Sequence, residues 1–199
     1  MPDTVRKISV TAKNIMPNRL ICLRAEKFCL HDEIRARACI ERIRRIAPTI
    51  KILVGSYWNN SPDALRDLDA PADDRIIYNF HCYDPLAFTH QGATWIQDPA
   101  FDIHRRVSFE EAGVSPAYFE QRFASALSVA SERKTTLYCG EYGVINRASP
   151  EDTVRWFQAI HETFEKHQIA RSAWSYRQME FGLSDQRLDA VREELIRCL

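Results

Sequence analysis

Glycine is missing from residues 1–31 altogether. A doubly wound α/β domain would want a glycine-rich phosphate turn after its first strand, so that architecture fits poorly. No charge excess exists either: 27 Lys and Arg balance 27 Asp and Glu. The lack of a basic field argues against a phosphate-backbone binder, and nucleic acid is not an expected partner. No apolar run approaches the ~20 residues that a membrane-crossing helix needs, so no membrane partner is expected. The start, Met1-Pro2-Asp3-Thr4-Val5-Arg6, lacks the apolar stretch of an export signal, which makes a cytoplasmic location the expectation for the chain as written. The six cysteines (22, 29, 39, 82, 139 and 198) include no Cys-x-x-Cys pair. Neither a metal site nor a disulfide framework is therefore expected, and the thiols read as small buried hydrophobes. Internal repeats and low-complexity stretches are absent.

What is present is an ordinary globular composition. The 199 residues are 45% apolar and 27% charged, with ten Phe, seven Tyr and four Trp. That is one domain's worth of chain, residues 1–199, with ample apolar surface for a core. Helix-period and strand-like segments alternate. Residues 32–46 carry Ile34, Cys39, Ile43 and Ile46 near helical spacing, with Asp32 as the cap and Pro48 as the stop. Ile50–Gly55 is short, apolar and β-branched, hence a strand. Residues 75–82 repeat that character, and about 30 aperiodic, aromatic and polar residues follow at 84–113. A loop that long in a small domain is usually functional.

The second half continues the pattern. Residues 116–132 put Phe119, Phe123, Ala126 and Ala130 on one helical face. Thr135–Cys139 reads as a strand running into Gly140-Glu141-Tyr142-Gly143. Ser149-Pro150-Glu151-Asp152 is a helix start, with a serine cap and acids at the positive end of the dipole, and Val154, Phe157, Ile160 and Phe164 make that helix amphipathic. Ile169–Tyr176 is strand-like, and residues 185–198 close the chain with Leu188, Val191 and Leu195 facing inward. Strands alternating with helices mean parallel βα units, whose chemistry stands at the carboxyl ends of the strands. Those ends carry Tyr57 and Trp58, His81 and Tyr83, Glu141, and Trp174. Rings beside carboxylates are the makings of a sugar site, because pyranose faces stack on aromatics and acids supply the proton and nucleophile work.

These residues resemble glycoside hydrolase family 5, the cellulase family. Ile52-Leu53-Val54-Gly55 with Trp58-Asn59 looks like its strand five. Ile76–Tyr83 followed by Asp84-Pro85 resembles its strand six with the His-x-Tyr pair, and Phe88-Thr89-His90-Gln91-Gly92-Ala93-Thr94-Trp95 resembles the loop after it. Gly140-Glu141-Tyr142-Gly143 is similar to the nucleophile motif, and Trp174-Ser175-Tyr176 to strand eight. All five occur in family order. The resemblance implies an α/β fold, a partial (β/α)8 TIM barrel of about five parallel strands with outer helices, corresponding to strands four to eight. It implies a retaining two-carboxylate glycosidase acting on β-1,4-glucan or related β-glycans, with no cofactor and no metal.

By that resemblance Glu141 is the nucleophile, and His81, Tyr83, Trp174, Trp58, His90, Gln91 and Trp95 bind substrate or hold the loop that does. The family's acid/base follows an Asn at the end of strand four. Pro17-Asn18-Arg19-Leu20-Ile21 looks like the approach to that strand, but residues 22–30 depart from the pattern, as a shifted reading frame or decayed gene would leave them. Read without a gap, Lys27 takes the acid's place; with one deletion, Glu26 takes it and Ala25 replaces the Asn. The part before strand four is expected to be missing. Two unpaired sheet edges would then favour self-association, and a catalytically inactive remnant that binds sugar is the alternative to an enzyme.

Overall fold

The computed structural model describes residues 9–13, 20–24, 30–177 and 180–199. Glu26 and Lys27, the two candidates for the acid's place, lie outside them. Six strands form one sheet in chain order: β1 (Ser9–Lys13), β2 (Leu20–Arg24), β3 (Lys51–Gly55), β4 (Ile76–Cys82), β5 (Thr136–Tyr142) and β6 (Ala170–Arg171). The expected parallel alternation is present: β2 runs parallel to β3 in the register Leu20↔Lys51, and β3 parallel to β4 in the register Ile52↔Ile76. One strand was not foreseen. β1 pairs antiparallel with β2, Ser9 opposite Arg24, and this short segment carries too little periodicity to be read beforehand.

The helices fall where the apolar spacing puts them: α1 (Leu30–Ile46), α5 (Pro116–Glu132) and α6 (Pro150–Lys166). The Ser149 hydroxyl caps α6 by accepting from the Asp152 N–H at 3.0 Å. The 84–113 stretch contains two short helices, α3 (Leu86–Thr89) and α4 (Phe109–Ala112), the latter opened by a reciprocal capping box between Ser108 and Glu111. Residues 185–198 are a 3-10 turn, Gln186–Val191, leading into α7 (Arg192–Arg197), with Leu188 and Leu195 buried. A one-turn segment, α2 (Tyr57–Asn60), follows β3, and its Trp58 and Asn59 hold left-handed rather than α-helical angles. Among the described residues no helix is long and apolar enough to cross a membrane.

The chain divides into two compact units. The first comprises Met1–His81 and Phe123–Tyr138. Its core is Ile52, Leu65, Ile76, Tyr78, Phe80, Phe123 and Ala126, with the Phe80 and Phe123 rings 5.0 Å apart. Arg133 braces it by donating to the Leu68 carbonyl, to the Arg66 carbonyl and to the Tyr78 hydroxyl, which itself donates to the Asp69 carbonyl.

The second unit comprises Cys82–Arg122 and Cys139–Leu199. Phe88, Phe119, Tyr142, Trp156, Phe157 and Phe164 are fully buried in it. Trp156 stacks on Tyr142 at 6.4 Å and donates its indole N–H to the Asp84 carbonyl at 3.0 Å. Cys82, Cys139 and Cys198 are buried free thiols, as small hydrophobes should be, and burial raises the thiol pKa of each.

Candidate active site

β5 runs three residues further than the sequence suggests, so Glu141 stands inside the last turn of pleat and Tyr142 ends the strand. Alternation then sends Tyr142 into the core, fully buried, and leaves Glu141 partly exposed on the opposite face. The Tyr83 hydroxyl donates to Glu141 Oε2 at 3.2 Å. Burial first, and the Glu141 charge second, push the Tyr83 phenol well above its ordinary value. Tyr83 therefore keeps its proton at neutral pH and can donate to a carboxylate.

The Tyr83 ring is set by a cluster of rings. It meets His90 edge-on at 5.0 Å and Phe181 at 5.7 Å, while His90 lies 5.0 Å from Phe181 and 6.4 Å from Trp95. Tyr83 and Trp174 pack on a buried group of Ala93, Ile145 and Phe181. Burial lowers the pKa of His90 to about 4, so its imidazole is neutral at neutral pH. Its tautomer follows from Thr89. The Thr89 hydroxyl donates its one proton to the Tyr83 carbonyl, so at 3.1 Å His90 Nδ1 must be the donor to Thr89 Oγ1. The His90 proton is on Nδ1 and the lone pair on Nε2.

Trp174 is half-buried and reaches its place by backbone pairing with β5. The N–H groups of Ser172 and Trp174 donate to the carbonyls of Cys139 and Tyr142 at 2.9 and 2.8 Å. This pairing continues the β6 alignment past its two formal strand residues, which explains why 169–176 reads as a strand. The approach is close: a Cβ on Gly143 would stand 2.3 Å from the Trp174 carbonyl oxygen, so only glycine fits there.

Gln91 is engaged within its own loop. It is buried, its amide nitrogen donates to the carbonyls of Phe88 and Val107, and its Oε1 accepts from the Val107 N–H. With its amide nitrogen and oxygen engaged inside the protein, Gln91 pins the two ends of its loop together. Trp95, in the same loop, is 50% exposed and so offers a free ring face.

Trp58 and His81 belong to the first unit. Trp58 is 73% exposed, edge-on to Tyr57 at 5.0 Å. His81 Nε2 lies 3.1 Å from the side-chain nitrogen of Asn60. Asn60, Thr89 and Phe181 are the residues that sequence reasoning passed over. The Trp58-Asn59-Asn60 run did carry a signal, since paired Asn favours left-handed backbone. Glu26 lies outside the described residues. Among the described residues no group of three or more His, Cys, Asp or Glu is placed to hold a metal ion.

A carboxylate at the end of a strand in a βα sheet, held by a buried phenol, defines the class: an α/β protein whose polar site stands at the carboxyl end of its strands. Residues 31–180 match the model of the cellulase family, glycosyl hydrolase family 5, and the chain belongs to that family. It is 55% identical over 133 residues to cellodextrinase A of Ruminococcus flavefaciens, covering 67% of this chain and 39% of that protein. It is 30% identical over 184 residues to endoglucanase C of Acetivibrio thermocellus, covering 81% of this chain and 53% of that one. Among solved structures, a cellulose synthase subunit Z of Clostridioides difficile superposes with a TM-score of 0.72 at 25% identity, over 84% of this chain and 55% of the other. Cel5A of Thermotoga maritima, solved with cellobiose, gives a TM-score of 0.68 at 22% identity, over 82% and 52%, and shares the fold. The chain thus spans about half or less of the length of these relatives, and the barrel it represents is partial.

Proposed function

We propose that this chain carries the nucleophile half of a glycosidase that hydrolyses β-1,4-glucan or related β-glycans with retention. The observation that carries the reading is the 3.2 Å hydrogen bond from Tyr83 to Glu141 at the end of β5. A nucleophilic carboxylate must be ionised and aimed, and a phenol that keeps its proton at neutral pH does both. The names of the relatives, a cellodextrinase and an endoglucanase, support β-linked glucose chains as the substrate. In a retaining mechanism Glu141 attacks the anomeric carbon and a second carboxyl about 5–5.5 Å away protonates the leaving oxygen, then activates water. Glu26 is the candidate for that second group. Trp174 and Trp95 offer faces for sugar rings.

The test is initial rates on an aryl β-cellobioside and on soluble cellulose. A leaving group that needs no proton gains least from general acid help, which is worth roughly 10²–10⁴-fold. The chain should therefore cleave the aryl substrate far better than the glucan. Glu141→Gln should abolish both activities, and Glu26→Ala should cripple only the natural substrate. Equal rates for wild type and Glu141→Gln would end the enzymatic reading. Cellobiose binding without turnover would instead favour a sugar-binding remnant.

A further inference from the structure

Thr89 ends α3 fully buried, and every polar group it carries is engaged. Its N–H donates to the Pro85 carbonyl at 3.1 Å, which closes the helical turn, and its carbonyl accepts from the Ile145 N–H at 2.9 Å. Ile145 lies four residues past Glu141 and belongs to the buried group on which Tyr83 and Trp174 pack. The Thr89 backbone therefore ties the chain that follows β4 to the chain that follows β5. Valine has the same outline as threonine, so the hydroxyl of a fully buried residue calls for a reason of its own.

That hydroxyl has one proton and two lone pairs to place. Thr89 Oγ1 stands 2.5 Å from the Tyr83 carbonyl oxygen and 3.4 Å from that of Pro85. Two oxygens with only lone pairs between them repel at such a separation, so the proton lies on the line to Tyr83. A carbonyl only accepts, and the assignment has no flipped alternative. What Oγ1 keeps for His90 Nδ1, 3.1 Å away, is a lone pair, and His90 is the donor. Turning the His90 ring over would put a C–H where the N–H now meets the oxygen, so the bond fixes the face of the ring as well as its tautomer. The His90 ring in turn meets the Tyr83 ring edge-on at 5.0 Å, and the Tyr83 hydroxyl donates to Glu141 Oε2 at 3.2 Å.

We propose that Thr89 is a positioning residue for Glu141: its single hydroxyl grips Tyr83 at the carbonyl directly and at the ring through the Nδ1–H of His90, and so aims the phenol that holds the carboxylate. The role in catalysis rests on the glycosidase reading given above. Fully buried, Thr89 meets no substrate itself; it acts by denying Tyr83 a second position. Burial lowers the His90 pKa to about 4, so at neutral pH the ring carries the Nδ1 proton alone and Nε2 is bare.

Thr89→Val removes the hydroxyl and Thr89→Ser keeps it. Thr89→Val should lower kcat on the aryl β-cellobioside by roughly 10–100-fold with KM little changed, while Thr89→Ser stays near wild type. The loss should vanish in the Tyr83→Phe background, where no phenol is left to aim. Two NMR readouts need no turnover. At neutral pH, nitrogen spectra of the wild type should show His90 with a protonated Nδ1 and a bare Nε2, assigned by their loss in His90→Phe, and Thr89→Val should shift the balance toward Nε2–H. The Glu141 carboxyl carbon signal, assigned by its loss in Glu141→Gln, should move the same way in Thr89→Val as in Tyr83→Phe. A protonated Nε2 in the wild type overturns the proposal whatever the variants do. So does a Thr89→Ser as impaired as Thr89→Val, or a Thr89→Val loss that is undiminished in Tyr83→Phe. Inactivity of the wild type toward the aryl cellobioside, with both NMR results as stated, would count against the glycosidase reading alone.

Discussion

At the residue scale the proposed chemistry rests on the Tyr83–Glu141 bond. A hydrogen bond to a charged group is worth about 1.5–3 kcal/mol, and Tyr83→Phe deletes it while keeping the ring that packs on His90 and Phe181. The expected outcome is a kcat on the aryl β-cellobioside lower by about 10–100-fold with KM little changed, read from steady-state kinetics. His90 gives a pH prediction. Burial lowers its pKa from 6.5 to about 4, so the unfolded chain binds the proton more readily than the folded one. Its contribution to stability is complete above pH 6.5, declines as the pH falls toward 4, and changes no further below that. The full effect is at most roughly 3 kcal/mol. Urea melts at pH 7 and pH 4.5 should show a smaller loss of stability in His90→Phe than in wild type. Glu141, Tyr83 and Trp174 were legible in the sequence because each sits in a short motif at a strand end. The contact of Asn60 with His81 was not, because it depends on a backbone turn that periodicity does not record.

At the scale of elements, Gln91 ties together two parts of the long loop after β4. Gln91 joins the turn at Phe88 to Val107 through three hydrogen bonds, and Gln91→Leu leaves the Val107 N–H and carbonyl unpaired in a buried place. That should cost roughly 1–3 kcal/mol and open residues 92–107 to proteolysis, which limited trypsin digestion would show as early cleavage at Arg105 or Arg106. Gly143→Ala should displace the Trp174 backbone, since its Cβ has no room beside that carbonyl. A loss of about 1–3 kcal/mol in chemical denaturation is expected. The elements that were legible, α1, α5, α6, β3, β4 and β5, are those whose apolar spacing is long enough to have a period. β1 is too short for one, whereas β6 lies inside the strand-like 169–176 and is extended by the backbone bonds of Ser172 and Trp174.

At the scale of the whole molecule, the order of the described strands ends on β1 and β6, each with one neighbour only. Unpaired strand edges invite pairing with another chain, so association that rises with concentration is expected in sedimentation equilibrium. A monomer at every loading concentration would refute this. The family was legible from motif order, whereas the acid/base was not, because residues 22–30 depart from the family pattern and Glu26 is outside the described part. The four tryptophans differ sharply in their surroundings: Trp156 is sealed in the aromatic core, Trp174 is half-covered, and Trp95 and Trp58 reach into water. That grading makes the chain its own optical reporter. Iodide should quench the long-wavelength part of the emission and leave a blue-shifted remainder from Trp156, and a bound oligosaccharide should shield the quenchable fraction while leaving the remainder untouched.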